Sequence, residues 1–216
     1  YPTNKQARDG DNSYFETHYS SIDLDESDLR QPKKYPDKIE KLNIVHTSNR
    51  IDNNIKGHKT LIETVKIITD SGFNVSVSFI GDGEKVEEFR KYASDLGIAD
   101  RVNFLGRISS RKQILEILGR SDLYVLPTYM EGLPRSIIEA KAAGLPCLSS
   151  PTAGVPELVE NKYLFRPDDS QGFAQEIIRL MNNPRELEQM SRDGVQQARK
   201  YTKNILNQRR HYFYSK

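Results

Sequence analysis

The sequence predicts a doubly wound α/β fold, in which helices cover both faces of a parallel sheet. Short apolar, β-branched runs alternate along the chain with segments whose apolar residues recur every three or four positions. Glycine or proline closes most of these segments, so the linkers are short. A chain of 216 residues favours one domain with extensions, and it can bury a sufficient core without covalent cross-links.

The strands are predicted where short apolar runs are bounded by turn residues, as in 42–46 (Leu-Asn-Ile-Val-His). Such runs are typical of strands buried on both faces of a parallel sheet. The predicted strands are 42–46, 75–80, 102–105, 123–126 and 146–148, with a last short one at 163–165.

The helices are predicted from three- and four-residue apolar spacing, which Leu61, Ile62, Val65 and Ile68 illustrate. The segment 134–143 has a proline near its start and a glycine just past its end, the usual asymmetry of a helix. The predicted helices are 59–70, 86–96, 112–118, 134–143, 170–181 and 184–201, with 204–213 as a continuation.

Residues 1–40 differ from the rest, because they are polar and lack a sustained period. Pro32 and Pro36 favour an irregular extension or linker, and the short apolar stretch 22–24 is expected to pair only weakly. The chain begins at Tyr1 rather than at a methionine, so a fragment or a processed product is expected.

Composition excludes several classes of protein. The net charge of +2 argues against a protein that coats nucleic acid, and no segment approaches the roughly 18 apolar residues of a membrane helix. The single cysteine, Cys147, allows no disulfide within the chain and no cysteine cluster. It lies in an apolar stretch, which predicts a small buried residue.

In doubly wound sheets, ligands bind at the carboxyl ends of the strands, near the point where the strand order reverses. Four loops therefore carry the expected chemistry: 47–57, 81–83, 106–109 and 128–134. The first contains Arg50 and Lys56, a planar fork and a point charge that together suit a diphosphate, although two basic loop residues are more often simply solvated. No G-x-G-x-x-G or Walker A pattern is present, which disfavours a dehydrogenase or a P-loop NTPase.

The loop 128–134 and the helix after it carry two acids. Glu131 lies in the loop, and the backbone N–H groups of Gly132 and Leu133 lead into the helix, where they favour an anion or a hydroxyl. Glu139 lies inside an apolar helix, where a carboxylate is costly unless hydrogen-bonded, and a ribose diol would satisfy it. The alternatives are an ion pair with Arg135 or a solvent-facing position for Glu139, and an exposed loop acid for Glu131.

Glu131 and Glu139, separated by seven residues, resemble the E-x-seven-E motif of retaining glycosyltransferases of the GT-B fold. The flanking stretches, Tyr-Val-Leu-Pro-Thr before and Glu-Ala-Lys-Ala-Ala-Gly-Leu-Pro after, also resemble glycosyltransferase family four, the "group 1" glycosyltransferases. The resemblance covers about 44–168 and implies that this chain is the Rossmann-like C-terminal half of a GT-B fold.

The resemblance also implies roles for individual residues. Arg50 and Lys56, with the adjacent Gly57, match the positions that bind the donor diphosphate, and Arg107 falls at the strand end that meets the nucleobase. Glu131 matches the catalytic acid that contacts the transferred sugar. Glu139 matches the acid that binds the ribose hydroxyls.

The turn between the two acids, Gly132, Leu133 and Pro134, matches the backbone that meets sugar hydroxyls and phosphate. Pro134 stands where glycine is common and removes one N–H donor there. Asn49 also stands where the family often has glycine, and asparagine tolerates the left-handed region, so the loop can survive this departure.

The predicted organisation is a linker and remnant of a missing N-terminal acceptor domain (1–40), a nucleotide-sugar-binding domain (41–201) and a C-terminal crossover segment (202–216). In that segment Ile205, Leu206, Tyr212 and Phe213 either reach the missing domain or pack locally. The four histidines form no ligand set with an acid cluster, and the resemblance likewise implies metal-independent catalysis, so no metal is expected.

The predicted function is retaining transfer of a hexosyl group from a nucleoside-diphosphate sugar to a hydroxyl of a growing glycan. No cofactor is expected, since the UDP- or GDP-linked sugar is itself the substrate, and a glycan or lipid-linked acceptor would bind through the missing domain. The alternatives are a nucleotide-sugar-binding module without catalysis of its own and, less favoured, a GT-B epimerase, which lacks this glutamate spacing. A cytoplasmic location is expected, with peripheral membrane attachment left open.

Overall fold

A computed structural model describes residues 22–215 of the chain. Its centre is a five-stranded sheet in which every paired strand is parallel. The strands are β1 (Leu42–Arg50), β2 (Val75–Asp82), β3 (Val102–Phe104), β4 (Leu123–Leu126) and β5 (Cys147–Ser149). Their order, β3-β2-β1-β4-β5, reverses between β1 and β4, which confirms the predicted doubly wound, Rossmann-like α/β fold.

Helices follow the strands, as the alternating pattern predicted. They are α1 (His58–Asp70), α2 (Val86–Asp95), α3 (Arg111–Arg120), α4 (Arg135–Ala142), α5 (Ser170–Met181), α6 (Pro184–Arg199) and α7 (Lys203–Tyr214). Helix α1 packs against α5, and α4 packs against α6. No helix within residues 22–215 is long and apolar enough to cross a membrane.

The central strands of the sheet are buried, because other elements cover both faces and a neighbouring strand pairs with each edge of β1. In β1, Ile44 pairs with Val77 on one side and with Leu123 on the other. All four residues of β4 are buried. Cys147 is also buried and free, as predicted. Since these side chains are buried, polar groups that can bind a ligand are expected at the ends of the strands.

Two histidines lie in this core. His46 on β1 and His58 at the start of α1 are both buried, and their ring centroids are 4.7 Å apart beside the ring of Phe79. Burial lowers the pKa of His46 to about 4 and that of His58 to about 2. Both imidazoles are therefore neutral core side chains near pH 7.

The prediction of a strand at 163–165 was wrong. A single turn of 3-10 helix, Asn161–Tyr163, occupies its start, and Leu164 makes only an isolated bridge with Ser149. The Phe165 N–H donates to the Ser149 carbonyl at 2.9 Å, so the segment touches the sheet edge without extending the ladder. Its apolar residues face the core, which explains why the sequence pattern resembled that of a strand.

Asn49 does not adopt the left-handed conformation that asparagine tolerates. Strand β1 continues through Asn49 to Arg50, which pairs with Asp82 after an irregularity in register. Among the described residues other than glycine, only Ala153 has a positive φ, of 36°. The chain therefore leaves the sheet later than predicted, and extended backbone accommodates asparagine without strain.

The described part of the N-terminal segment runs along the domain. Ile22 and Leu24 are buried, and the Leu24 carbonyl accepts a 2.8 Å hydrogen bond from the Lys203 N–H, so the prediction of weak pairing was wrong. Further along, the Lys33 N–H donates to Ser191 Oγ and the Tyr35 hydroxyl to the Asp122 carbonyl. These contacts attach the segment to α7, α6 and the start of β4.

In the C-terminal segment, Leu206 is buried in the core, which favours the local-packing alternative at that position. Tyr212, near the end of α7, is 55% exposed.

Candidate functional site

The candidate site lies where the strand order reverses, at the carboxyl ends of β1 and β4. The loop after β1 is hydrogen-bonded to the loop after β4. The Tyr129 N–H donates to the Ile55 carbonyl at 2.8 Å, and Thr128 Oγ1 donates to the same oxygen at 3.3 Å. The two loops therefore form one unit rather than two independent surface segments.

Gly57 allows the close approach of these loops. Its φ is +73°, and a Cβ atom there would lie 2.0 Å from the carbonyl oxygen of Pro127. Asn54 supports the same turn, because its carbonyl accepts from the Gly57 N–H and its side chain accepts from the Lys59 N–H at the start of α1. The turn places Lys56 directly against the β4 loop.

Lys56 and Glu131 meet at this junction. Lys56 Nζ lies 2.5 Å from Glu131 Oε1 and donates to the Met130 carbonyl at 3.1 Å. The side chains are 29% and 18% exposed, so the pair is largely shielded while still reachable from solvent. Two residues that sequence predicted from separate loops are thus brought into direct contact, with a cation for phosphate and an acceptor for hydroxyls.

Arg50 does not join this pair. Its side chain is 77% exposed, and its Nε donates to Asp52 Oδ2. That hydrogen bond lowers the pKa of Asp52, whose other oxygen accepts from the Glu84 N–H. Arg50 therefore lies on the β2 side of the edge, and contact with a shared diphosphate would require it to leave Asp52.

Glu139 is half-buried on α4 and makes neither a side-chain hydrogen bond nor an ion pair with any residue from 22 to 215. Burial raises the pKa of its carboxyl group, while Arg111 and Arg135 oppose that shift and Asp28 adds to it. The ion pair with Arg135 that sequence left open is absent from this part of the chain. An unpaired half-buried carboxylate is a ready acceptor for a ligand with two hydroxyls.

The turn between the two acids packs against the loop after β5. The Gly132 carbonyl accepts a 2.9 Å hydrogen bond from the Gly154 N–H, and a Cβ atom on Gly154 would lie 2.7 Å from that oxygen. Leu133 is half-buried, and Pro134 precedes the first residue of α4 as its N-cap. A Cβ atom on Gly132 would meet no described atom within 4 Å, so a ligand can approach the backbone there.

The loop after β5 was not among the loops that the sequence predicted. Ser150 Oγ and Thr152 Oγ1 are buried without a hydrogen-bond partner within the described chain, and Ala153 has a positive φ. The rule that ligands bind at strand ends would have found this loop if it had been applied to the fifth strand, since β5 lies beside β4.

Arg107 lies at the same edge of the sheet but away from the acids. It is exposed and follows Gly106, which bridges to Gly81 near the end of β2. Strand β3 is the outer strand, two positions from β1. The structure thus brings Lys56 and Glu131 into contact. Arg50 and Arg107 lie apart from this pair, toward β2 and β3 at the same edge of the sheet.

Residues 22–215 offer no candidate metal site, because no group of three His, Cys, Asp or Glu side chains converges there. His46 and His58 face the aromatic core instead. His18 lies outside the described residues.

The fold and its switch-point site define a Rossmann-like domain of the kind that GT-B glycosyltransferases contain. The sequence profile of the family "Glycosyl transferases group 1" matches residues 30–199, and the chain belongs to that family. The match spans the sheet, both site loops and the helices through α6.

Curated relatives are longer than this chain. An N-acetyl-alpha-D-glucosaminyl L-malate synthase of Bacillus anthracis is 28% identical over 196 residues, covering 87% of this chain and 49% of that protein. The UDP-Gal:alpha-D-GlcNAc-diphosphoundecaprenol alpha-1,3-galactosyltransferase of Escherichia coli is 34% identical over 129 residues, covering 58% of this chain and 31% of that protein. The chain therefore spans half or less of the length of these relatives.

Solved structures share the fold at low sequence identity. Anabaena Alr3699/HepE in complex with UDP and glucose superimposes with a TM-score of 0.73 at 23% identity, covering 82% of this chain and 48% of that one. The C-terminal domain of a group 1 glycosyl transferase (LpcC) from Francisella tularensis gives a TM-score of 0.70 at 20% identity, covering 83% of this chain and 99% of that one.

Proposed function

We propose that this chain is the donor-binding half of a retaining glycosyltransferase, which transfers a hexosyl group from a nucleoside-diphosphate sugar to a hydroxyl of a glycan. The observation that carries the proposal is the Lys56–Glu131 pair at the switch point, with the half-buried Glu139 eight residues further on. The relatives support this donor class, since one is named for UDP-galactose and a structural neighbour was solved with UDP and glucose.

Each site residue then has a role in the transfer. Lys56, assisted by Arg50 and placed by Gly57, stabilises the negative charge that develops on the departing diphosphate. The backbone at Gly132 and Leu133, before Pro134, binds phosphate or sugar hydroxyls. The bond between the anomeric carbon and the diphosphate oxygen breaks, the acceptor oxygen bonds to that carbon on the same face, and the acceptor hydroxyl proton passes to the departing diphosphate.

The remaining roles concern recognition of the donor. Glu131 orients the transferred sugar, Glu139 accepts hydrogen bonds from the ribose hydroxyls, and Arg107 lies where the base would end. No cofactor takes part. The acceptor, a glycan or a lipid-linked glycan, would bind to the part of a longer protein that faces this site.

The alternative is a nucleotide-sugar-binding module without catalysis of its own. It describes the isolated chain, because its match covers only 49% and 31% of the two relatives and the acceptor side would be supplied by the remainder. We therefore expect the isolated chain to bind donors and to transfer nothing.

A thermal-shift screen of the chain against UDP, GDP, ADP and their sugars tests the proposal. Ligand at about 100 times its Kd stabilises the fold by about 2.7 kcal/mol, which raises Tm by about 5–10 °C for a chain of this size. One nucleotide family should stand out, and the shift should survive EDTA. The absence of a shift with every nucleotide, or a strict need for magnesium or manganese, would overturn the assignment.

A further inference from the structure

A buried histidine ends the turn that carries Lys56. His58 follows Gly57 and is the first residue of α1. In the first turn of that helix, the Leu61 N–H donates to the Gly57 carbonyl at 3.0 Å, so this hydrogen bond closes around His58. The position of Lys56 therefore depends on what holds the first turn of α1 against the sheet.

Three rings hold His58 in place. Its imidazole stacks on Phe89 of α2, with ring centroids 5.4 Å apart and an angle of 18° between the planes. Phe79 of β2 lies 5.3 Å away and His46 of β1 lies 4.7 Å away, again between ring centroids. The His58 side chain is fully buried. The start of α1 is thus attached through one side chain to two strands and a second helix.

His46 joins β1 to β4 where the strand order reverses. The ladder between these strands ends at the pair of Val45 and Tyr124, and His46 Nδ1 lies 2.9 Å from the Val125 carbonyl, one residue further along both strands. Because a carbonyl oxygen can only accept, Nδ1 carries the proton and Nε2 of the neutral ring is an acceptor. The loop after β4 begins two residues beyond Val125, so this hydrogen bond fixes the strand end from which that loop leaves.

Both histidine rings carry a desolvation cost. His46 Nε2 and both ring nitrogens of His58 are buried without a hydrogen-bond partner among residues 22–215. The two rings face each other, the phenylalanines of β2 and α2 and one carbonyl of β4, and the charge of Lys56 acts on both. Burial lowers the pKa of each ring, and the Lys56 charge adds to that lowering. A proton on either ring would therefore place a charge in an apolar core beside a cation.

We propose that His46 and His58 are positioning residues of the donor site: as neutral rings they hold the start of α1 against β1 and β4 and thereby keep Lys56 beside Glu131. The proposal rests on the phosphate role given to Lys56 above. An exposed imidazole has a pKa of about 6.5, so acid favours conformations in which the rings leave the core. The hold is complete above about pH 6.5 and weakens as pH falls toward the buried pKa of His46, about 4.

Hydrogen exchange of the Leu61 amide measures this hold directly, because its N–H bonds to Gly57 in the first turn of α1. After correction for the intrinsic rate, protection should fall between pH 8 and pH 5 by about thirtyfold for each ring that titrates, and by about 10³-fold for both. His58→Phe keeps a stacked ring that takes no proton, so the fall should shrink to about thirtyfold. Other titrating groups are common to all variants and cancel in their ratio. His211→Phe, on the exposed surface of α7, is the matched control and should leave the fall unchanged.

Calorimetry at pH 7.5 connects the hold to the donor site. His58→Leu removes the stacked ring and should weaken UDP binding by about threefold to tenfold, part of the value of a charged hydrogen bond to phosphate, while uridine binding stays within about twofold. The conservative His58→Phe should retain UDP affinity within about twofold. Tyr201→Leu removes a buried ring between α6 and α7, away from the site, and is the matched control. It should leave the affinities for UDP and uridine unchanged.

The outcomes separate the hold from the function on which it rests. A smaller pH effect on Leu61 in His58→Phe, together with a selective loss of UDP affinity in His58→Leu, supports the inference. The same pH effect in His58→Phe and the unaltered chain, or an equal loss of UDP and uridine affinity in His58→Leu, overturns it. If exchange follows pH as expected while Lys56→Ala binds UDP normally, the phosphate role fails instead. If His58→Leu does not fold, exchange in His58→Phe still decides.

Discussion

The two acids of the site, Glu131 and Glu139, lie in different electrostatic surroundings, although only seven residues separate them. Glu131 is paired with Lys56 at 2.5 Å, whereas Glu139 is half-buried without a bonded partner among the described residues. The paired acid is held by the same lysine that is proposed to bind phosphate. The unpaired acid instead carries a desolvation cost in the nucleotide-free protein.

This difference indicates that the junction of the β1 and β4 loops is held in place before a ligand binds. Helix α4, which carries Glu139, is instead stabilised when a ligand bonds to that carboxylate. Around Glu131, backbone and side-chain bonds join the β1 and β4 loops into one unit. Around Glu139, Arg111 and Arg135 act on the carboxyl group through their charge, without a hydrogen bond to it. Substitution of Glu131 should therefore disturb the geometry of the two loops. Substitution of Glu139 should weaken ligand binding and stabilise the ligand-free fold.

The largest effect is expected from Gly57→Ala, which would break the preorganised side. A left-handed alanine and a Cβ 2.0 Å from the Pro127 oxygen together should cost about 3 kcal/mol of unfolding free energy. Gly72→Ala is the matched control, because Gly72 has a φ of +84° but a Cβ atom there would meet no described atom within 4 Å. It should cost about 1–2 kcal/mol in the same urea titration. Equal losses at both glycines would contradict the close approach of the two loops.

The next largest effect is expected from Lys56→Ala on binding of UDP. Loss of a charged hydrogen bond to phosphate should cost about 1.5–3 kcal/mol by calorimetry, while binding of uridine should hardly change. Arg50→Ala should cost less, because its exposed side chain must leave Asp52 to reach a ligand.

Lys66→Ala serves as the control for Lys56→Ala. Lys66 also lies 2.5 Å from a carboxylate, that of Asp70, and is 32% exposed, but both residues belong to the last two turns of α1. It should leave UDP binding unchanged. A parallel loss of uridine and UDP affinity in Lys56→Ala would remove the phosphate role.

Glu139→Gln should have two opposed effects. It should weaken UDP binding and yet stabilise the nucleotide-free fold by about 0.5–2 kcal/mol, because a half-buried unpaired charge is removed. Since burial raises the folded-state pKa above the unfolded value of about 4.3, the contribution of Glu139 to stability is largest at low pH and is lost as pH rises through the folded-state pKa. The advantage of the variant in Tm should therefore grow with pH.

The exposed Glu116→Gln on α3 is the control for that comparison, since it removes the same charge from the surface. Its Tm should stay within about 1–2 °C of the unaltered chain at every pH. A lower Tm for Glu139→Gln would indicate a structural ion pair and would remove the contrast between the two acids.

The smallest effect on nucleotide affinity is expected from Glu131→Gln. UDP binding should change by less than about threefold, because the proposed contacts of Glu131 are with the transferred sugar, whose loss acts on the chemical step. In the longer protein that we propose, kcat should fall. A large loss of UDP affinity would show that the Lys56–Glu131 pair positions Lys56 for phosphate and that the two roles are not separable.

Much of the fold was predictable, because buried parallel strands and amphipathic helices have periods that local sequence displays. Strand β4 and helix α5 have the predicted bounds. The segment 163–165 was misassigned, since a short apolar run looks the same whether it pairs in a ladder or merely packs on the sheet edge. The extended backbone at Asn49 was missed because strand length depends on the partner, Asp82, rather than on local residues.

The sequence by itself determined the order of elements, the loops that meet at the switch point and the types of charged group that they carry. Tertiary structure alone decided that Lys56 pairs with Glu131, that Arg50 pairs with Asp52 and that Arg111 pairs with Asp28. The physical reason is that propensity and periodicity act over a few neighbouring residues, whereas Coulomb interactions and desolvation depend on distances in space between groups that lie far apart in the chain.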